Sequence, residues 1–142
     1  FFYYPEVKTA DFLFLGIMDV LYPTEKSLYI KKKRPKAMKQ ELLRRFKEDG
    51  FYLEDLLSVP KSIASDEEWR VAPEQLISRI KNIIRVDTPI ILIKANVFDK
   101  LHKPLSEAGF SVIQDKSIPF PSSGQQKVFA DSFKRELIKV QL

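Results

Sequence analysis

The stretch from Pro119 to Lys127 combines the residue types that bind a phosphate group. Two prolines, Pro119 and Pro121, stiffen the backbone directly before a helical pattern. After Pro121 come hydroxyls, a side-chain amide, an ammonium group and a glycine that permits close approach: Ser122, Ser123, Gly124, Gln125 and Lys127. Residues 121–127 are here called the closing loop. A helix start has free backbone N–H groups and the positive end of the helix dipole, so the sequence predicts an anion site at this loop. An ordinary helix start, with Ser123 and Gln126 in a capping box, also explains this pattern.

Three further polar residues follow predicted strands. Asp55 lies near the end of the strand pattern at 51–57, and Lys94 and Asn96 follow the apolar run Ile90–Ile93. In open α/β sheets, ligands bind beyond the carboxyl ends of the strands, so these residues are predicted to line the same crevice as the closing loop. Each polar group also has a simpler interpretation, Asp55 as a solvent-facing acid and Asn96 as the cap of the next helix.

The order of helical and strand patterns predicts the fold that positions these residues. Strand patterns alternate with amphipathic helical patterns, which is typical of a parallel sheet with helical crossovers. The sequence therefore predicts one α/β domain over residues 1–142, with three α/β/α layers and a mostly parallel sheet of about four strands. The strands predicted within the sequence are Phe51–Leu57, Ile90–Ile93 and Phe110–Ile113.

Capping residues, prolines and glycines predict where the helices begin and end. Ser65 and Glu68 fit a capping box, and Pro73 either kinks the helix that follows or starts a second one. The predicted helices run from Thr9 to Tyr22, from Pro35 to Asp49, from Ser65 to the stop at Asp87-Thr88-Pro89, from about Asn96 to the stop at Gly109, and from about Ser123 onward.

Composition excludes several classes of site. The 142 residues include no cysteine, which excludes disulfides, thiolate zinc sites and a cysteine nucleophile and fits a cytoplasmic location. No apolar run approaches the roughly 20 residues that span a bilayer, so no membrane partner is expected. The lone histidine, His102, has no second ligand at metal-binding spacing, and no glycine-rich nucleotide motif occurs. Neither a metal nor a cofactor is therefore predicted.

Part of the net charge of +5 is concentrated in the run Lys31–Lys36, which reads Lys-Lys-Lys-Arg-Pro-Lys. Such a run can neutralise the phosphates of a nucleic acid. It is also typical of a solvent-exposed loop followed by a helix whose charged side faces solvent. Both interpretations stay open at the level of the sequence.

The region around the closing loop resembles the C-terminal motif of the uracil-DNA glycosylase superfamily. That motif consists of a strand, a His-Pro-Ser or Asn-Pro-Ser loop that contacts DNA phosphate and the target base region, and a last helix. Here a strand pattern leads into Ile-Pro-Phe-Pro-Ser-Ser-Gly-Gln-Gln-Lys (residues 118–127), in which Pro121 and Ser122 match the Pro-Ser pair. The sequence looks closest to a poorly characterised bacterial branch, in which Phe-Phe-Tyr follows the first motif and Pro-Phe-Pro-x-Ser-Gly-Gln-Gln-Lys closes the domain. The resemblance implies a four-stranded parallel sheet between helices.

The sequence departs from that superfamily at two places. Phe120 occupies the position of the His or Asn, and a phenyl ring cannot donate a hydrogen bond to a uracil carbonyl. The other motif is a Gly-containing loop with an Asp, Asn or Glu that positions water, and it has no match within residues 1–142. In the bacterial branch it would lie just upstream of Phe1. Either a strand precedes Phe1, or the protein has a different first element.

The resemblance also implies roles for other residues. Glycosylases extrude the target nucleotide and stack its base on an aromatic side chain, for which Phe2, Tyr3 and Tyr4 are candidates. Packing in the core is the alternative for at least two of these rings. Asp55 is the candidate catalytic residue, as a carboxylate that positions water or accepts a hydrogen bond from a base edge.

Three functions are compatible with the sequence. The first is a divergent uracil-DNA glycosylase-like protein that binds DNA and excises a uracil or damaged base. The second is a non-catalytic nucleic-acid-binding module that uses the Lys31–Lys36 run and the closing loop. The third is a protein that binds a small phosphorylated or carboxylated ligand at the same helix start.

Overall fold

A computed structural model describes residues 2–4, 11–59 and 61–140 of the chain, which forms two compact units. Unit 1 combines Phe1–Leu53 with Phe120–Arg135, and unit 2 combines Glu54–Pro119 with Glu136–Leu142. The elements in chain order are α1 (Phe12–Leu21), α2 (Pro23–Lys31), α3 (Lys36–Glu48), a short 3-10 helix (Lys61–Ile63), α4 (Asp66–Ile80), β1 (Pro89–Ile90), α5 (Ala95–Glu107), β2 (Ser111–Val112) and α6 (Gln126–Lys139).

The predicted three-layer α/β/α fold with about four strands is wrong. Helices dominate the described residues, and their sheet consists of β1 and β2 alone. These two strands pair in parallel, with Pro89 opposite Ser111 and Ile90 opposite Val112. One further parallel bridge joins Ile93 to Ile118. A single β-α-β unit is therefore present, with α5 as its crossover helix, in place of the expected layered sheet.

Side-chain hydrogen bonds occupy the backbone of the segment Phe51–Leu57, which was predicted to be a strand and is not one. In unit 1, the hydroxyl of Tyr3 donates to the carbonyl oxygen of Leu53 at 3.2 Å and accepts from the Leu53 N–H at 2.7 Å. In unit 2, the Arg79 guanidinium donates to the carbonyl oxygen of Asp55 at 2.8 Å. Side chains thus satisfy backbone groups that a neighbouring strand would otherwise bond.

A buried glutamine shortens the strand ladder between β1 and β2. Gln114 is 1% exposed, and its side-chain amide accepts a hydrogen bond from the Leu92 N–H. The same amide donates to the carbonyl oxygens of Leu92, at 2.9 Å, and of Lys116, at 3.0 Å. Because the Leu92 backbone is satisfied by this side chain, the predicted strand Ile90–Ile93 is reduced to Pro89–Ile90 and the bridge at Ile93.

Unit 1 contains a helix, Pro23–Lys31, that was not predicted from the sequence. The first helix ends at Leu21, close to the predicted end at Tyr22, and the predicted cap Thr9 lies outside the described residues. Pro23 then starts α2, whose last residue is Lys31. Proline suits the first position of a helix because that position needs no backbone N–H donor. The same residue that predicted the end of α1 therefore also begins the next helix.

Aromatic side chains form much of the core of unit 1. The Phe2 ring packs edge-on against Phe14 and Phe46, at centroid distances of 5.8 and 5.1 Å, and Phe14 packs against Tyr29. Lys39 and Asp11 are buried beside these rings, with 2.6 Å between Nζ and Oδ2. The Lys39 ammonium also lies 4.6 Å from the centre of the Phe14 ring.

Unit 2 is built around the apolar face of α4 and α5. Its core consists of Leu76, Ile80, Leu92, Leu101, Leu105 and Phe110. The predicted capping box at the start of α4 is confirmed, since the Glu68 N–H donates to the Ser65 hydroxyl at 3.1 Å and the Glu68 carboxylate accepts from the Ser65 N–H at 3.3 Å. Pro73 lies inside α4, which continues through it.

No helix in the described ranges has the length and apolar character needed to cross a membrane.

Replacing Gln114 with leucine is expected to lower the free energy of unfolding by about 2–4 kcal/mol, because the buried N–H and C=O of Leu92 would lose their partner. Chemical denaturation measures the change. Gln40→Leu on α3, where the side chain is exposed, provides the control and should have little effect. Equal stability of the two variants would show that the Gln114 amide is not required to satisfy this backbone.

Candidate functional site

The closing loop is anchored by a close contact between Pro121 and α1 of unit 1. Pro121 is fully buried, and Gly16 lies against it in the middle of α1. A Cβ atom added at Gly16 would lie 2.8 Å from the Pro121 Cβ, 2.9 Å from its Cγ and 3.2 Å from the Phe129 ring. Only glycine therefore permits this approach of α1 to the proline that begins the loop.

Beyond Pro121 the closing loop turns tightly before α6 begins. The Ser122 N–H donates to the carbonyl oxygen of Phe120 at 2.8 Å, and the Gln125 N–H donates to the carbonyl oxygen of Ser122 at 2.9 Å. Gly124 has a φ of +85°, which favours glycine. The helix starts at Gln126, two residues later than a capping box at Ser123 requires.

Several backbone N–H groups of the closing loop are open to solvent. Residues Ser123 to Val128 are exposed. The N–H groups of Ser123, Gly124, Gln126 and Lys127 donate to no group within the part of the chain that the structure describes. The Lys127 ammonium pairs with Asp131, one turn further along α6 at 3.1 Å. Exposed pairs of this kind contribute little, so a phosphate could share the ammonium with Asp131 at small cost.

Unit 1 also presents a compact group of cations at the end of α2, here called the basic turn (residues 31–34). All four of its side chains, Lys31, Lys32, Lys33 and Arg34, are exposed. Among the described residues, none of the four has a carboxylate within 4.0 Å. In unit 1 the chain therefore places four charges on consecutive residues, none of them paired with a carboxylate of the described ranges.

The conformation of the basic turn is set by backbone hydrogen bonds. Lys33 and Arg34 have φ values of +63° and +58°, in the left-handed region. Their N–H groups donate to the carbonyl oxygens of Ile30, at 3.0 Å, and of Tyr29, at 2.8 Å. These bonds satisfy carbonyl groups that the end of α2 leaves open. The left-handed residues therefore close the helix while their side chains stay in solvent.

The predicted base-stacking residues have different environments within unit 1. Phe2 is 5% exposed and lies in the aromatic core, where its ring has little free surface. The Tyr3 hydroxyl is hydrogen-bonded to the Leu53 backbone, and Tyr3 is 44% exposed. Tyr4 is 65% exposed. Of the three rings, Tyr4 has the most surface available to a ligand.

The remaining predicted site residues belong to unit 2. The Asp55 side chain is exposed. Lys94 is the residue directly before α5, and Asn96 is exposed in the first turn of that helix. The structure thus groups Lys94 with Asn96 and, separately, groups the residues of the closing loop. A crevice shared by all of them stays a prediction.

Lys61 was not predicted from the sequence as a residue that influences Lys94. Burial and the nearby Lys61 side chain lower the pKa of Lys94 below the usual lysine value. The two residues are far apart in the sequence and show no common motif, so no local pattern could have identified the pair.

Within the described ranges, no three His, Cys, Asp or Glu side chains are grouped closely enough to hold a metal ion.

Comparisons with models of protein families, with curated proteins and with solved structures found no match to this chain. The resemblance to uracil-DNA glycosylases therefore stays a prediction that rests on the motif around the closing loop.

Substituting Gly16 with alanine is expected to destabilise unit 1 by about 1–2 kcal/mol. Overpacking against Pro121 costs about 1–3 kcal/mol, and the better helix propensity of alanine offsets up to about 1 kcal/mol of that. A double-mutant cycle with Pro121→Gly measures the coupling, since removing the ring should make the added methyl group tolerable. Additive effects of the two substitutions would show that the contact does not fix the loop.

Proposed function

We propose that this protein binds DNA through its phosphate backbone, using the basic turn and the closing loop of unit 1. The observation that carries the proposal is the set of four consecutive, exposed cations that have no carboxylate partner among the described residues. DNA carries a dense line of negative charge, and cations that neutralise its phosphates release condensed counterions. The absence of cysteine is consistent with the cytoplasmic location that we include in this proposal.

The basic turn differs from most other cationic positions of the chain. Many arginines and lysines already have a carboxylate partner, and these include Arg44, Arg45, Arg70, Arg79, Arg85, Lys103, Lys127 and Lys139. A cation that already has a partner gains less from a phosphate, because the existing pair must be broken or shared. The charges of the basic turn have no such competing partner in the described residues.

The closing loop offers a second type of phosphate contact. Its open N–H groups, together with the hydroxyl of Ser122 and the amide of Gln125, can donate hydrogen bonds to a phosphate oxygen. Backbone donors of this kind fix the position of the phosphate but carry no base specificity. The proposal therefore predicts binding with little preference for sequence.

The position of Phe120 favours binding over catalysis. Its half-buried phenyl ring offers no hydrogen bond to a uracil carbonyl and no stabilisation of a departing uracil anion. Binding without base excision is therefore the function that the described geometry supports best. A uracil-containing duplex tests this choice, because release of free uracil would support a glycosylase that acts without the His or Asn.

Changing all four residues of the basic turn, Lys31, Lys32, Lys33 and Arg34, to glutamine is expected to weaken DNA binding strongly. Up to four phosphate contacts would be lost, so the slope of log affinity against log salt should become shallower by about 3–4. Fluorescence anisotropy with a labelled duplex, between about 50 and 200 mM salt, measures this slope.

The matched control for the basic turn is the variant R44Q/R70Q/R85Q/K103Q. It also removes four positive charges, but from exposed residues that have carboxylate partners. We expect a clearly smaller loss of affinity from this control. Equal losses in the two variants would mean that net charge alone drives binding and that the basic turn is not the interface.

The double substitution Ser122→Ala and Gln125→Ala is expected to weaken DNA binding about tenfold, the loss of roughly one charge-assisted hydrogen bond. The fold should be unaffected, which a thermal melt can show. Gln75→Ala with Ser78→Ala removes the same two side-chain types at the same spacing from the exposed face of α4 and serves as the control. Unchanged affinity in the closing-loop variant would remove that loop from the interface.

A further inference from the structure

Two tyrosine rings are exposed in unit 1, on chain segments that are hydrogen-bonded to each other. Tyr4 is 65% exposed and Tyr52 is 56% exposed. The Tyr3 hydroxyl donates to the carbonyl oxygen of Leu53 at 3.2 Å and accepts from the Leu53 N–H at 2.7 Å. Tyr4 is the residue after the first of these partners, and Tyr52 is the residue before the second. The two hydrogen bonds therefore hold the backbone segments of both exposed rings beside each other.

Aromatic neighbours anchor both of these segments. The Tyr3 ring packs edge-on against the buried Phe2, at a centroid distance of 4.9 Å. On the other segment, Phe51 stacks on the buried Phe46 at 5.2 Å. Tyr52 is exposed although the residue on either side of it is half-buried, so its ring points away from the core. The exposed rings are thus carried by backbone that is fixed to the core of unit 1.

Positive charge accompanies these rings in unit 1. The basic turn precedes α3, and Lys47 lies in the last turn of that helix. Lys47 is exposed and has no carboxylate within 4.0 Å in the part of the chain that the structure describes. Each of the next two acids has an arginine partner, Glu48 with Arg44 and Asp49 with Arg45. A phosphate that approaches the second ring therefore meets a cation a few residues before it.

Exposed rings together with cations suit unpaired DNA better than a duplex. In a duplex the faces of the bases are stacked on one another, so the rings have only base edges and sugars to contact. In a single strand the faces are free, and proteins that bind such strands combine cations for the phosphates with aromatic rings on which bases stack. A helix of 13 residues such as α3 spans about 20 Å, so one strand several nucleotides long can reach both the basic turn and the rings.

We propose that unit 1 binds single-stranded DNA in preference to duplex DNA, with unpaired bases stacked on Tyr4 and Tyr52 and phosphates bound by the basic turn and Lys47. The inference rests on the proposed function, because it specifies which form of DNA the same surface binds. Every base has a flat face that can stack, so the rings add affinity without adding a preference for sequence.

Fluorescence anisotropy tests the preference with a labelled oligothymidine strand and a labelled duplex of equal length, at the same salt concentration. Stacking one base on an aromatic side chain changes affinity by about fivefold to 150-fold. With two rings available, we expect the single strand to bind at least about tenfold more tightly than the duplex.

The variant Y4A/Y52A should bind the single strand at least about tenfold more weakly and the duplex almost as the unchanged protein does. Y4F/Y52F keeps both rings without their hydroxyls and should retain the affinity for the single strand, because stacking needs only the ring. The control L28A/I30A removes two exposed apolar side chains from α2 of the same unit and should leave binding to both forms of DNA unchanged. A thermal melt of each variant shows that the fold is retained.

The outcomes separate this inference from the proposed function. Equal affinity for the two forms of DNA, or a Y4F/Y52F variant as weak as Y4A/Y52A, would overturn stacking on these rings and leave phosphate binding by the basic turn in place. The glutamine variant of the basic turn should weaken binding to both forms, whereas Y4A/Y52A should affect the single strand alone. A protein that binds neither form would refute the proposed function and this inference together.

Discussion

The buried ion pair between Lys39 and Asp11 is the constraint on which unit 1 depends. The two side chains are 0% and 6% exposed, and they connect α3 to the residue that precedes α1. Removing two charges from water costs several kcal/mol per ion, so the pair stabilises the unit only while both partners are in place. The Phe14 ring against the ammonium group and the nearby Tyr29, whose pKa is raised by burial and by Asp11, show how closely this core surrounds the charges.

Both proposed DNA contacts of unit 1 originate in helices linked to that pair. The basic turn connects α2 to α3, the helix that carries Lys39. The closing loop packs through Pro121 on α1, which begins directly after Asp11. Loss of either charged partner typically costs about 3–5 kcal/mol and would therefore disturb the supports of both contacts.

Features of this architecture that depend on neighbouring residues were predicted from the sequence. Features that depend on contacts between distant residues were not. The capping box of Ser65 and Glu68 and the start of α3 after Pro35 depend on neighbouring residues, and both are present. The strand pattern at Phe51–Leu57 depends on a partner strand, and the pattern could not show that Tyr3 and Arg79 bond this backbone instead. The α/β/α prediction was wrong because it assumed strand partners for apolar segments.

The candidate sites also divide into those set by neighbouring residues and those set by distant contacts. The closing loop is continuous in sequence, so proline, serine and glycine indicated it directly. The influence of Lys61 on the pKa of Lys94 depends on how the chain folds between the 3-10 helix and the start of α5, and no sequence periodicity encodes that path. The left-handed φ of Lys94 was equally hidden, because a lysine gives no signal for a conformation typical of glycine.

The double hydrogen bond of Tyr3 also has a consequence for self-association. An exposed extended segment with free N–H and C=O groups can recruit a strand from another molecule and start aggregation. At Leu53 both groups are bonded to one hydroxyl, which donates and accepts at the same time. A strand arriving from a second molecule would have to displace the tyrosine before it could pair there. The phenol thus protects the Leu53 backbone from pairing with a strand of another molecule.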